Sequence, residues 1–305
     1  MSYGDPRYGN QYDNRGGNGM GLLVRLIPIL IGLGAIGLTM VRGCQQGPFG
    51  RVQIVGMQPA QESKLGLRAF DEVLQNAHVI QRGPVVDAVT AVTKRLIDAA
   101  KTSSEFQQLV GTPIPDFDWE LKVVDDKQVN AFCLPGGKIV VYTAILPVAE
   151  TDAGLATVIG HEISHALAHH GAERMAQQQM VQIGMTSASA SMGDMDPGKR
   201  QQLLSVLNAG AKFGILSYSR KHETEADHMG LLLMAAAGYD PNETIRFWKR
   251  MTEATGGGQQ PPEFMSTHPN HQTRIQDLTR WIPDAMPLYE NSPYKSETKV
   301  LPELR

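Results

Sequence analysis

The apolar positions of this chain change period several times, and each change marks an element. Residues 22–41, LLVRLIPILIGLGAIGLTMV, form one apolar run broken by a single charge, Arg25. About 20 such residues suffice for a helix to cross a bilayer. Within 66–110, Val85, Val89, Val92, Leu96 and Ile97 recur at helical spacing. The stretch DWELKVVDD then alternates, and NAFCLPGGKIVVYTAIL reads as two β-rich runs around a turn at Pro135–Gly137. Helical periodicity returns at 152–180, at 200–237, at 243–254 after the Asp240-Pro241 start signal, and at 270–282. TGGGQQPP, at 255–262, reads as a loop. The pattern predicts a disordered tail over 1–20, a transmembrane helix over 21–42 and a linker over 43–60. One α+β domain, mainly helical with a small sheet, follows over 61–285, and a peripheral tail covers 286–305.

Composition sharpens this picture in three places. The first twenty residues carry almost nothing aliphatic, so no burial can offset the entropy of ordering them. The formal net charge of -3 leaves no basic field to gather phosphates, which excludes nucleic acid as the expected partner. With only Cys44 and Cys133 in 305 residues there is no disulfide framework and no cysteine-rich zinc site, so any metal must be held by His and carboxylate. Arg7 and Arg15 precede the apolar run and Arg25 stands near its start, while Arg42 and Arg51 follow it, a slight bias toward a cytoplasmic N-terminus. The expected location is therefore a bacterial-type inner membrane, crossed once, with the domain on the periplasmic side. A retained anchor is preferred over a cleaved signal peptide because no A-x-A-like site follows the run. VRGC faintly resembles a lipoprotein box, but Arg42 departs from that pattern, and lipidation of Cys44 is the weaker reading.

The chemistry concentrates in VIGHEISHALAHHGAERMA, 158–176. His161-Glu162-Ile163-Ser164-His165 is an H-E-x-x-H motif, and residues four apart on a helix share one face, so both imidazoles can address one ion. Glu162 is offset around the helix, where it can lie beside the ion and take a proton from water. His169 and His170 read as partly exposed residues near a helix end. A catalytic zinc needs three protein ligands and an open position. The extension H-E-x-x-H-x-x-G-x-x-H is excluded, because positions 168 and 171 are Ala168 and Gly171. The alternative is an acid from SYSRKHETEADHMGLLLMAAAG, 217–238. There Glu223 and Asp227 are four apart, so one can bind metal while the other reaches a ligand His. Glu225 reads as a solvated helix acid. The Met-, Ser- and Ala-rich stretch 180–214 suits either a mobile hairpin over a cleft or a plain helical hairpin.

H-E-x-x-H at 161–165 with E-x-x-A-D at 223–227 resembles the gluzincin peptidases that include the CAAX prenyl protease, the HtpX-type heat-shock proteases and the mitochondrial inner-membrane stress protease. NAFCLPGG is similar to the family's N-A-F-x-x-P-G-G block, and STHPNHQTRI, 266–275, to its S-x-H-P-x-x-x-x-R-I block, so the likeness spans about 61–282. The resemblance implies a zincin-like fold and one Zn2+ per chain held by His161, His165 and Glu223. It further implies Glu162 as base, Asp227 orienting a ligand, and His268 near the metal, stabilising the oxyanion or plugging the open position. The run Asn130 to Leu134 reads as an edge strand that could pair with extended substrate backbone, with Asn130, Ala131 and Phe132 as the expected substrate contacts. The expected function is zinc-dependent cleavage of misfolded or membrane-associated proteins in envelope quality control. The rival reading is a membrane-tethered chaperone or binding module with a structural or latent metal. Substrate proteins or peptides and the membrane are the expected partners.

Overall fold

The computed structural model describes residues 18–193, 195–255, 264, 268 and 273–303, and every statement below concerns these. Residues 1–17 of the expected tail, most of the expected loop at 255–262 and the stretch around Pro269 lie outside them.

The apolar run forms α1 (Asn18–Gly43), whose segment Leu23–Gly43 has a mean hydropathy of 2.1. It is long and apolar enough to span a bilayer, and most of its surface faces away from the protein. The stretch expected as a linker is instead ordered. It folds into an antiparallel hairpin of β1 (Cys44–Gln46) and β2 (Val52–Ile54) and then enters α2 (Pro59–Gln75).

Next come β3 (Val79–Ile80), α3 (Pro84–Thr102) and α4 (Ser104–Val110), followed by β4 (Glu120–Val124), β5 (Ala131–Leu134) and β6 (Lys138–Tyr142). The four later strands form one sheet in the order β3-β4-β6-β5, with β4 and β6 parallel and the other pairs antiparallel. β6 is the most buried strand, and β5 is an edge, paired on one side to β6 alone. Pro135 to Gly137 make the expected turn; Gly136 and Gly137 both have φ near +80°, a region that suits glycine.

A short turn of helix, α5 (Leu146–Ala149), leads to α6 (Asp152–Leu167), α7 (His170–Ser191), α8 (Pro197–Ala236), α9 (Glu243–Thr255) and α10 (Arg274–Asn291). Thr151 caps α6 by accepting from the Gly154 amide at 3.0 Å. Every residue from Ala153 to Ser164 is buried, because α6 runs through the core between α3 and the sheet on one side and α8 and α9 on the other. A helix buried all round has no polar face to spare, so the titratable groups it carries need partners inside the protein.

α6 and α8 cross closely at Gly160 and Gly230. A Cβ on Gly230 would come to 2.9 Å from the His161 backbone nitrogen, nearer than real Cβ contacts allow. We expect Gly230→Ala to lower the melting temperature, since overpacking costs about 1–3 kcal/mol against roughly 1 kcal/mol of regained helix propensity. It should weaken metal binding as well, because α6 and α8 carry opposite halves of the donor cluster described below. A melting temperature at or above that of wild type would contradict this.

The stretch 180–214 takes the second of its two readings, a plain helical hairpin: its described residues build the end of α7 and the start of α8, and α7 lies along α1. The contact is close enough that a Cβ on Gly32 would collide with Ser187. The expected break at 285 falls inside α10, and the residues after it pack on the domain: Val300 bridges Thr151, and the Leu301 amide donates to Glu150 O at 2.9 Å.

Candidate metal centre

His161 and His165 sit one turn apart on α6, and their Nε2 atoms are 3.0 Å from each other. Across the α6–α8 crossing, Glu223 places Oε2 3.4 Å from His161 Nε2 and Oε1 3.4 Å from His165 Nε2. His268 enters from the segment before α10, its Nδ1 3.1 Å from both Glu223 oxygens and 3.3 Å from His161 Nε2. One donor atom from each of these four residues lies within 4.8 Å of all the others. Asp227, one turn after Glu223, puts Oδ1 3.0 Å from His161 Nδ1. Glu162 lies beside the cluster: its Oε2 accepts from the Cys133 amide at 3.4 Å. Its Oε1 is 3.4 Å from His268 Nε2 and accepts no hydrogen bond among the described residues.

Arg274, fully buried at the start of α10, completes the surroundings. Its Nε donates to Asp227 Oδ2 at 2.6 Å and its Nη2 to Glu223 Oε2 at 3.0 Å, while the guanidinium lies over the Trp248 ring at 3.9 Å. Burial works against charge on Glu223, but His165 and His268 outweigh it and hold its carboxyl well below the usual range. Burial likewise opposes a charge on His161, yet hydrogen bonds and attraction from Asp227 and Glu223 push it up to about 10. The carboxylates thus draw positive charge to this spot. Glu223 and Asp227 share the one guanidinium of Arg274, and Glu162 stands beside them in the same largely dry space. Two imidazole nitrogens and a carboxylate form a donor set of the kind that suits zinc, and a divalent cation would balance the excess negative charge. The residues present fit such an ion.

A cleft of about 320 Å³ opens on this cluster, lined among others by Asn130, Phe132, Pro135, Glu162 and His165. Asn130 is buried with its Oδ1 accepting no hydrogen bond among the described residues. The expected strand residues therefore divide: Asn130 and Phe132 line the cleft, whereas the Ala131 side chain points into the core, as the alternation of a strand requires. The Phe264 amide donates to Val129 O at 3.2 Å, so the segment that carries His268 is anchored where this strand begins.

Several residues behave differently from their sequence reading. α6 ends at Leu167, and His169 adopts a left-handed backbone (φ 54°) that reverses the chain, with its Nδ1 2.8 Å from Glu62 Oε2 on α2. The reversal brings His170 back against α6, where it is 3 % exposed rather than at a solvated helix end. Glu225, expected in solvent, is 8 % exposed because α7 and the β1–β2 hairpin cover its face of α8. Arg274, in the R-I of the STHPNHQTRI block, carries no local signal of its place beside Glu223 and Asp227, and nothing in the local pattern marks Arg51.

Known proteins match over the region that builds this centre. The model of Peptidase family M48 matches residues 86–282. The mitochondrial metalloendopeptidase OMA1 of Schizosaccharomyces pombe is 38% identical over 228 residues, 75% of this chain and 60% of the relative. OMA1 of Homo sapiens is 30% identical over 233 residues, 75% of this chain and 43% of that protein. The beta-barrel assembly-enhancing protease of Escherichia coli is 26% identical over 221 residues, 71% and 43% of the two chains. This chain thus spans 60% or less of the length of each of these three. With its H-E-x-x-H helix and the acids of α8 inside a match that covers more than half of its length, the chain belongs to Peptidase family M48.

Proposed function

We propose that this protein is a zinc-dependent metalloendopeptidase, held to a membrane by α1, that cleaves misfolded or membrane-associated proteins. The observation that carries the reading is the convergence of His161 Nε2, His165 Nε2 and Glu223 beside a carboxylate, Glu162, with an oxygen to spare at a cleft. His161, His165 and Glu223 would hold one zinc ion per chain, with Asp227 orienting His161. Zinc, when bound, supplies Lewis acidity toward a peptide carbonyl and toward water. Glu162 takes a proton from the attacking water and returns it to the leaving amide nitrogen. Its hydrogen bond from the Cys133 amide aims it from the edge strand. Asn130 Oδ1 offers an acceptor to an N–H of an extended substrate laid along β5. The names of the relatives, which pair metalloendopeptidase activity with mitochondria and a protease with β-barrel assembly, support a role in quality control. The apolar helix and the arginine bias support a single-pass protein of a bacterial-type inner membrane with the domain in the periplasm. The test is metal content and casein cleavage by the full-length chain in detergent: about one zinc per chain and chelator-sensitive hydrolysis are expected, and neither being found would refute the reading.

The place of His268 favours a latent form of this enzyme. Its Nδ1 points into the donor cluster, at 3.1 Å from Glu223 and 3.3 Å from His161, where it can serve as a fourth ligand in place of water. We expect His268→Ala to retain zinc and to hydrolyse casein faster than wild type, because the fourth position becomes open. A fall of roughly a hundred-fold at saturating zinc would instead identify His268 as an oxyanion donor, and an unchanged rate would leave it without a part in the site.

A further inference from the structure

His165 is held from behind by a chain of charged and polar groups that the proposed chemistry does not use. While its Nε2 faces His161, its Nδ1 lies 2.8 Å from His170 Nδ1. His170 Nε2 is 2.7 Å from Glu225 Oε2. Arg51 then grips Glu225 with Nε at 2.9 Å from Oε1 and Nη2 at 2.8 Å from Oε2, and Glu173 with Nη1 and Nη2 at 3.0 Å each. Glu173 also lies 3.0 Å from His222 Nε2, and the His222 ring stacks on His170 at 4.2 Å between centroids, which fixes the plane of the His170 ring. Arg51 comes from the β1–β2 hairpin, directly after α1.

The proton positions along this chain have one consistent assignment. If His165 is to offer the Nε2 lone pair to a metal, its ring proton sits on Nδ1 and is donated to His170 Nδ1. His170 then carries its own proton on Nε2 and donates it to the Glu225 carboxylate. The opposite assignment would protonate the metal-facing nitrogen of His165 and set a lone pair of His170 against a carboxylate. Metal-binding histidines are commonly oriented by a partner on the second ring nitrogen. Asp227 stands in that place for His161.

We propose that His170, Glu225 and Arg51 are positioning residues that fix His165 as a metal ligand, so that the hairpin following the membrane helix is part of what sets metal affinity. This rests on the reading of His165 as a ligand. Its consequence is a coupling: displacement of the hairpin releases Glu225, leaves His170 free to turn or change tautomer, and loosens His165.

The experiment uses the full-length chain in detergent, with zinc affinity measured by chelator competition and the ligand field read from the visible spectrum of the cobalt(II)-substituted protein. His170→Ala should weaken zinc binding by roughly 10- to 100-fold, the usual cost of losing an outer partner, and should alter the cobalt spectrum. Glu225→Gln, nearly isosteric, and Arg51→Ala should each weaken it several-fold. Arg51→Lys should recover part of the loss, since it keeps the charge but not the two-pronged grip. His165→Ala is the control. If that variant keeps its metal, the reading of the centre fails. If it loses metal while His170→Ala, Glu225→Gln and Arg51→Ala bind zinc within about twofold of wild type with an unchanged cobalt spectrum, the positioning proposal is overturned and the centre stands. Lower thermal stability without a change in affinity or spectrum overturns it as well, for it would show a purely structural role.

Discussion

Replacing Glu162 with Gln is expected to leave zinc in place and to lower peptide hydrolysis by at least roughly a hundred- to ten-thousand-fold, the range contributed by a positioned acid–base group. The two effects separate because Glu162 is outside the donor cluster: no atom of it belongs to the four-residue group of His161, His165, Glu223 and His268. Gln preserves the volume in this buried place and can still accept from the Cys133 amide, so the fold and the strand contact survive. What is lost is the ability to accept a proton, and the neighbouring carboxylates among the described residues are engaged elsewhere, Glu223 and Asp227 by Arg274 and Glu62 by His169. Metal content and casein turnover measured on the same preparation decide the matter. Near-normal turnover in Glu162→Gln would remove Glu162 as the base.

Replacing His161 or His165 with Ala should produce the reverse pattern, loss of metal first and of activity in consequence. Each substitution deletes an imidazole from the donor cluster, of which His268 is already a member, and so leaves the site one donor short. His169 is bonded to Glu62 on the far side of the turn, and His170 faces the Nδ1 of His165 rather than the cluster. We expect zinc affinity to fall by more than the roughly 10- to 100-fold typical of losing an outer partner. Stability gives an independent readout. An ion that binds only the folded chain stabilises it by about 2.7 kcal/mol at a free concentration of 100 times Kd. Wild type should therefore melt at a higher temperature with zinc than with a chelator, while His161→Ala and His165→Ala should melt at the same temperature in both. His161 matters in a second way, because Asp227 and Arg274 are paired around it; His161→Ala leaves Asp227 Oδ1 without its partner and should cost more stability than His165→Ala. Full zinc occupancy in both variants would sink the assignment.

Where spacing alone carried information, the sequence could be read. Residues four apart on a helix share a face whatever surrounds the helix, so His161 with His165 and Glu223 with Asp227 were legible as pairs, as was the spanning length of the apolar run. The β-rich runs around Pro135–Gly137 were legible because the turn needs glycine there. Helix ends were less so: Asp277 to Glu290 read as helix only in part, yet α10 continues through Pro283 and Pro287 to Asn291, supported by packing against α8 and α9.

What tertiary structure alone decided is which side chains meet across elements. His170 and Glu225 look like surface residues by position, since a helix end and a polar helix stretch favour water. They are buried because the left-handed His169 folds α7 back over α6, and because the β1–β2 hairpin lays Arg51 across α8. Arg51 is 174 residues from Glu225 in the chain, and His268 is 107 from His161, separations over which no periodicity carries a signal. The sequence by itself determined which groups can bind an ion and on which helix face they stand. The close α6–α8 crossing at Gly160 and Gly230 brought those faces together, and the desolvation of that crossing turned neighbouring acids and imidazoles into one charged cluster, because burial makes each of them depend on the others for its charge.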